Sequence, residues 1–153
     1  MASADLLSTT EEAFWRALMR IVLALPRRLD NDLAQAAGIT ANEYLTLMSL
    51  SEAPGGELRM TDLARATALS PSRITRLIDD LRACGLVTKR ASAKDGRGNV
   101  ATLTPAGLAK LTAAWRVHVA SARALVFDHV DPASTSDAAQ TLSEIAERLE
   151  GRL

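Results

Sequence analysis

Cysteine is almost absent from this chain of 153 residues, which contains a single one, Cys84. One cysteine excludes an internal disulfide and argues against a cysteine-based zinc site. Because Cys84 follows an apolar helix face, we expect a packed thiol, with redox sensing as the less favoured alternative.

Aromatic residues and long apolar runs are also scarce. Aromatics make up only 3% of the chain, which argues against a stacking platform for single-stranded nucleic acid. No apolar run reaches the roughly 18 residues of a membrane span. The residues after Met1 are polar and acidic, so we expect no signal peptide, no membrane association and a cytoplasmic location.

The sequence lacks the motifs that typically carry catalysis. It contains no Gly-rich phosphate loop, H-E-x-x-H or G-x-S-x-G pattern, so we expect no enzymatic activity and no cofactor. His118 and His129 are about 16 Å apart along one predicted helix at ~1.5 Å per residue, too far to share a metal ion. We therefore expect packing roles for both histidines and no metal site.

The net charge is zero, but the charges are unevenly distributed. Residues 58–116 contain 11 Lys or Arg and 4 Asp or Glu, a net charge of +7. The rest of the chain therefore carries −7. A basic middle between acidic ends favours one surface that binds a polyanion.

Local signals divide the first half of the chain into helices. Two overlapping capping boxes predict the start of a long first helix: Ser8 with Glu11, and Thr9 with Glu12. Pro26 predicts a kink or break of that helix near Leu25. Thr40 and Glu43 form the capping box of a second helix that extends to about Glu52.

A helix-turn-helix follows. Thr61 is the predicted cap of a third helix that ends near Leu69 and carries Ala64 and Ala68 inward. Ser70 then caps a fourth helix that begins at Pro71. Its buried face is predicted from four apolar residues at helical spacing: Ile74, Leu77, Ile78 and Leu81.

After Gly85, which can close the fourth helix with a positive φ, the pattern changes to two short extended runs. Leu86–Arg90 and Val100–Thr104 flank a turn-rich segment and predict a β-hairpin. A helix-turn-helix followed by a hairpin makes a winged helix, and we interpret the fourth helix as a DNA recognition helix.

The last third of the chain predicts two helices. Thr104-Pro105 starts a helix that continues to Val130, and a final helix follows Asp131-Pro132. The first helix and these last two carry apolar stripes at opposite ends of the chain. We expect the stripes to be buried together and against a second copy of the chain.

These residues resemble the MarR family of bacterial transcription regulators from roughly Glu12 to Leu149. The most specific part is Asp95-x-Arg97 followed by Leu103-Thr104-x-x-Gly107. The spacing from Leu63 to Arg90 is also similar to the helix-turn-helix of the family.

The resemblance implies a mainly α fold with a small β-hairpin wing. It implies a helical dimerisation region formed by residues 1–38 and 105–153, around a DNA-binding lobe of residues 39–104. It further implies a homodimer on a pseudo-palindromic site in double-stranded DNA, with Arg97 entering the minor groove beside Asp95. The predicted DNA-binding residues are Ser70, Ser72, Arg73, Thr75, Arg76, Arg90, Lys94, Asp95 and Arg97, with Lys89 as a further phosphate candidate.

Family analogy also suggests an effector site for a small aromatic acid, formed by Trp15, Arg16 and Arg20 with Asp79. The alternative is a tryptophan in the dimer interface and arginines paired with carboxylates. The expected function is a repressor released by an aromatic or phenolic effector. An activator with the same DNA chemistry and a winged-helix module for protein–protein contact remain as alternatives.

Overall fold

The structure is a computed structural model that describes residues 6–91 and 98–151. It is mainly α-helical with one small antiparallel sheet, as the sequence predicted. The chain divides into two compact units, one ending at His118 and the other beginning at Val119. Within the described residues, no helix combines the length and apolar character needed to span a bilayer.

The first helix, α1, spans Thr9–Ala37 and begins with the predicted capping box of Ser8 and Glu11. The Ser8 hydroxyl accepts a hydrogen bond from the Glu11 amide at 3.3 Å, and the Glu11 carboxylate accepts one from the Ser8 amide at 2.7 Å. The hydrogen bonds from the Ser8 side chain and backbone lower the pKa of Glu11. The helix ends at Gly38, where φ is +62°.

Of the kink or break predicted near Leu25, the break is wrong, because α1 continues through Pro26. A proline removes only one backbone donor, and the helical turns on both sides keep their own hydrogen bonds. The helix is also held at its two ends by the Ser8 cap and by Leu33, which is buried in the core.

The second helix, α2, spans Ala41–Glu52, and its capping box of Thr40 and Glu43 is confirmed. A second acceptor comes from α1, because the Asp30 carboxylate accepts a hydrogen bond from the Ala41 amide at 2.7 Å. A carboxylate at a helix N-terminus also interacts favourably with the helix dipole. Asp30 therefore ties α1 to the start of α2.

A short strand, β1, precedes the third helix, and the sequence did not predict it. β1 spans Glu57–Arg59, and α3 follows at once over Met60–Ala66. The predicted cap at Thr61 is therefore wrong, since this residue lies inside α3. Ala68 also differs from expectation, because it lies beyond the helix, is exposed and has a φ of +53°.

The fourth helix, α4, spans Pro71–Ala83 and begins at the predicted Ser70 cap. Ile74, Ile78 and Leu81 are buried and Leu77 is half-buried against the same core, so the predicted inward face is confirmed with Leu77 at its edge. Cys84 follows the helix and is exposed. The expectation of a packed thiol is wrong because the helix ends one residue earlier and Cys84 falls outside its buried face.

The predicted hairpin is confirmed as β2, Val87–Ala91, and β3, Asn99–Leu103. β3 is the central strand of a three-stranded antiparallel sheet, between β1 and β2. The buried Ala101 pairs with Leu58 of β1 on one side and with Lys89 of β2 on the other.

The long helix α5 spans Pro105–Leu125. The Thr104 hydroxyl accepts a hydrogen bond from the Gly107 amide at 3.0 Å and lies 2.8 Å from the Gly85 carbonyl, to which it can donate. Gly107 lies so close to the Leu86 carbonyl oxygen that an added Cβ would be 2.1 Å from it. This contact is a physical reason for threonine and glycine in the L-T-x-x-G segment.

The second unit contains the last turns of α5, two single-turn 3-10 helices and the final helix α6, Thr135–Glu150. α5 ends at Leu125 rather than at the predicted Val130, because the backbone leaves the helical region at Val126, where φ is −130°. Asp131-Pro132 therefore does not end α5, but the final helix predicted after it is confirmed, since α6 follows the 3-10 turn that begins at Pro132.

The core lies in the first unit, between the helix-turn-helix, the sheet and the facing parts of α1, α2 and α5. Its largest buried side chains come from five of these elements: Leu33, Tyr44, Leu47, Leu50, Leu63, Ile74, Ile78, Leu81 and Val87. α1 and α5 also carry large exposed apolar side chains, including Trp15 and Trp115, each 53% exposed.

Candidate nucleic-acid interface

The turn between α3 and α4 is built from local hydrogen bonds. The Thr67 hydroxyl, which is buried, donates to the Leu63 carbonyl at 2.8 Å, and the Leu69 amide donates to the Ala64 carbonyl at 3.1 Å. The positive φ of Ala68 turns the chain between them. The turn places α4 directly against α3 with its own N-terminus capped, in the helix-turn-helix arrangement.

The outward face of α4 is polar and basic near its N-terminus. Ser72, Arg73, Thr75 and Arg76 are all exposed. Among the described residues, neither Arg73 nor Arg76 forms an ion pair, and Asp79 of the same helix pairs with Lys89 and Arg82 instead. Two arginines beside a helix N-terminus form a surface suited to anions.

The hydroxyl groups of this face already form hydrogen bonds within α4 and its N-terminal cap. The Ser70 side chain accepts a hydrogen bond from the Arg73 amide at 3.4 Å and lies 3.2 Å from the Ser72 hydroxyl. The Thr75 hydroxyl donates to the Pro71 carbonyl at 2.8 Å. These groups keep oxygen lone pairs for further donors, and Ser70 has its first role as the helix cap.

The basic residues of β2 are paired with acidic partners. Arg90 lies 2.7 Å from the Glu57 carboxylate of β1, across the sheet. Lys89 lies 3.0 Å from the Asp79 carboxylate of α4, and its side chain is only 15% exposed. Sequence reasoning missed both pairs. The other predicted wing residues, Lys94, Asp95 and Arg97, lie outside the described residues.

Two of the four residues predicted for an effector site form ion pairs with other residues, and the other two are exposed. Arg16 pairs with Glu12 on α1, and Asp79 pairs with Lys89 and, at 3.9 Å, with Arg82. Trp15 and Arg20 are exposed on α1. Trp15 also lines an open pocket of about 420 Å³ whose lining comes from the start of the chain: Leu7, Thr10, Glu11, Phe14 and Trp15. The effector site stays a prediction.

A buried polar contact between α2 and α5 was not predicted. The rings of Tyr44 and His118 stack with their centres 4.8 Å apart. Burial raises the pKa of the Tyr44 phenol, and the charge of Glu52 adds to this effect. Within residues 6–91 and 98–151, the Tyr44 hydroxyl and His118 Nδ1 are buried with no hydrogen-bond partner. The helical spacing of His118 gave no signal for its partner, which is 74 residues away.

Comparison with known proteins identifies the architecture. The chain is 36% identical to AbsC, a MarR family transcriptional regulator from Streptomyces coelicolor, over 95% of this chain and 98% of that one, with a TM-score of 0.85. The chain belongs to the MarR family of transcriptional regulators. A family model described as MarR family matches residues 37–98, which contain the helix-turn-helix and β2.

Two further relatives are informative. Sco3205, a MarR family transcriptional regulator from Streptomyces coelicolor solved in complex with DNA, is 30% identical over 94% of this chain and 90% of that one, with a TM-score of 0.86. The HTH-type transcriptional repressor Rv2887 of Mycobacterium tuberculosis is 38% identical over 72 residues. The match spans about half the length of this curated relative.

Proposed function

We propose that the chain is a repressor that binds a specific sequence in double-stranded DNA through α4. The observation that carries the proposal is the division of α4 into a buried apolar face and an exposed face with Arg73 and Arg76 unpaired among the described residues. These arginines lie near the N-terminus of α4, and the N-terminal residues of a recognition helix are those that contact base edges in a major groove. The DNA complex of Sco3205 supports this function for a chain of the same fold.

The DNA contacts divide into two kinds. Arg73 and Arg76 reach base edges or phosphates, since a guanidinium can pair with O6 and N7 of guanine. Ser72 and Thr75 add hydroxyl contacts. Arg90 of β2 and the predicted wing residues Lys94, Asp95 and Arg97 are proposed to add contacts, with Arg97 in the adjacent minor groove. Because Arg90 is held by Glu57, its contribution requires that it exchange this partner for a phosphate.

The test begins with selection of bound duplexes from random DNA, which reports the site and its symmetry. Arg73→Ala and Arg76→Ala should each weaken binding to the selected duplex by roughly 5- to 150-fold, the equivalent of ~1–3 kcal/mol for an arginine–guanine contact. Arg27→Ala, at an exposed arginine of α1, is the charge-matched control. Affinity should fall steeply with salt. Salt-insensitive or absent duplex binding would instead favour the protein–protein module.

The active form is proposed to be a homodimer. α1 exposes Phe14 and Ile21, which lie two turns apart on one face, and α6 exposes Leu142 and Leu149 at the same spacing. Monomeric proteins rarely leave large contiguous apolar patches in water. A second copy that covers these helices would bury them and would place two recognition helices on a pseudo-palindrome.

Light scattering on a size-exclusion column tests the dimer. The wild-type chain should elute with the mass of two copies, and Leu142→Glu should shift it toward one, because a charge would enter the apolar interface. Gln140→Glu, which adds a charge at a neighbouring exposed polar position of α6, should leave the mass unchanged. A monomeric wild-type chain that still binds the full palindrome would contradict this part of the proposal.

Repression and its release complete the proposal. The curated relative Rv2887 is named a transcriptional repressor, and an aromatic or phenolic acid is proposed to release the DNA through Trp15, Arg16, Arg20 and Asp79. Benzoate and 2-hydroxybenzoate, titrated into the complex with the selected duplex, are the first probes. Release by either compound, lost in Trp15→Ala, is the expected result. Unchanged DNA binding with a panel of aromatic acids would remove the effector from the proposal.

A further inference from the structure

Asp79 and Lys89 form an ion pair that links the recognition helix α4 to strand β2 of the hairpin. Asp79 lies on α4, one turn beyond Arg76, and its carboxylate oxygen is 3.0 Å from the Lys89 ammonium on β2. No other ion pair between α4 and the sheet occurs among the described residues.

The burial of Lys89 distinguishes it from a phosphate-binding lysine. Its side chain is 15% exposed, whereas the side chain of Asp79 is 43% exposed. Lysine keeps its ammonium in water unless a partner replaces that hydration. Lys89 therefore has its charge directed inward, to α4, and not outward, to a ligand.

The position of Lys89 in the sheet explains this direction. Side chains alternate along a strand, so Lys89 shares a face of β2 with the buried Val87. That face packs against α4, where Ile78, the neighbour of Asp79, is also buried. The ion pair therefore lies beside the apolar contact between α4 and β2, one step further along the strand.

We propose that Asp79 and Lys89 are positioning residues that fix the hairpin against the recognition helix, so that both elements meet DNA in one geometry. The inference rests on the proposed DNA-binding function and extends it to two residues that do not touch DNA. An orientation that is set before binding raises affinity because less conformational freedom is lost in the complex.

Neutralising Asp79 should change the affinity for DNA in opposite directions in the two possible roles of this residue. A carboxylate on a surface that faces a polyanion repels it, so removing its charge should tighten DNA binding. If Asp79 instead positions the hairpin through Lys89, removing its charge should weaken binding. The sign of this change separates the two roles.

The experiment measures affinity for the duplex selected by the wild-type chain. Asp79→Asn and Lys89→Met, which break the pair from opposite sides, should each weaken binding by about three- to tenfold, with little further loss when combined. Lys89→Arg should retain near wild-type affinity. Asp80→Asn, the adjacent exposed carboxylate on α4, is the matched control and should leave binding unchanged or tighter.

Thermal unfolding of each variant, followed by circular dichroism, establishes the folded fraction at the assay temperature. If Asp79→Asn binds DNA as tightly as Asp80→Asn or more tightly, the positioning role is overturned. Weaker binding by Lys89→Met alone would then identify Lys89 as a direct phosphate contact. If the wild-type chain selects no duplex, the proposed function fails and this inference fails with it.

Discussion

Gly107→Ala should destabilise the chain, although alanine is the better helix former. The new Cβ would lie 2.1 Å from the Leu86 carbonyl oxygen and 2.8 Å from Leu103 Cδ1. A carbon and a carbonyl oxygen that are not bonded keep about 3.3 Å between them. The start of α5 must therefore move by about 1 Å away from Leu86, against the hydrogen bonds of Thr104.

The magnitude follows from two opposing effects. Overpacking costs about 1–3 kcal/mol, and more where backbone must shift, while the gain in helix propensity is at most ~1 kcal/mol. The obstacle at Gly107 is a backbone carbonyl, so we expect a net loss of about 2 kcal/mol. For a chain of this size, this loss corresponds to a melting temperature lower by roughly 4–8 °C.

Thermal unfolding by circular dichroism, at fixed protein concentration, measures the effect. Ala109→Gly, at an exposed position of the same helix, measures the propensity difference alone and should lower the melting temperature by only about 2–4 °C. A Gly107→Ala chain that melts at or above the wild-type temperature would refute the reasoning. It would mean that the start of α5 can move away from the Leu86 carbonyl without a loss of stability.

Two further predictions concern helix caps. Asp30→Ala should lower the free energy of unfolding by about 1 kcal/mol, because the Ala41 amide loses its carboxylate acceptor. Urea unfolding measures this loss, with Asn31→Ala at an exposed position of α1 as the control. Equal effects of the two substitutions would count against the cap. The pKa of Glu11 is lowered by Ser8, so the stabilisation from its charge is present above its ordinary pKa and is lost as the pH falls through the lowered value. Glu11→Gln should therefore melt below the wild type at neutral pH, and the difference should close as the pH falls through the lowered pKa of Glu11; a difference independent of pH would exclude the charge as its source.

The starts of α1, α2 and α4 were predictable because their causes lie within a few residues of each other, whereas the cap predicted at Thr61 for α3 was wrong. Ser8 with Glu11 and Thr40 with Glu43 satisfy free amides of their own helices. Ser70 accepts a hydrogen bond from the Arg73 amide, and Pro71 has no amide hydrogen to leave unpaired. β1 was not predictable in this way. Its three residues form a strand only because they pair with β3, more than 40 residues later in the sequence.

In the candidate site, too, the features set by neighbouring residues were predictable and the long-range contacts were not. The division of α4 into buried and exposed faces follows from helical periodicity, and the structure confirms which residues are buried. The partners of the basic residues do not follow from it. Arg90 and Glu57 are 33 residues apart, and Lys89 and Asp79 are joined only when β2 packs on α4.

The placement of the tryptophans determines what the intrinsic fluorescence of this chain will report. Trp15 and Trp115, the only two in the sequence, are each 53% exposed, whereas the large aromatic residue of the core is Tyr44. Tryptophan emission from a single folded copy therefore already comes from hydrated indoles, and unfolding should shift it little. A partner that covers α1 or α5 should shift it to shorter wavelength, so the same signal that is a poor measure of unfolding is a direct measure of what docks on these helices.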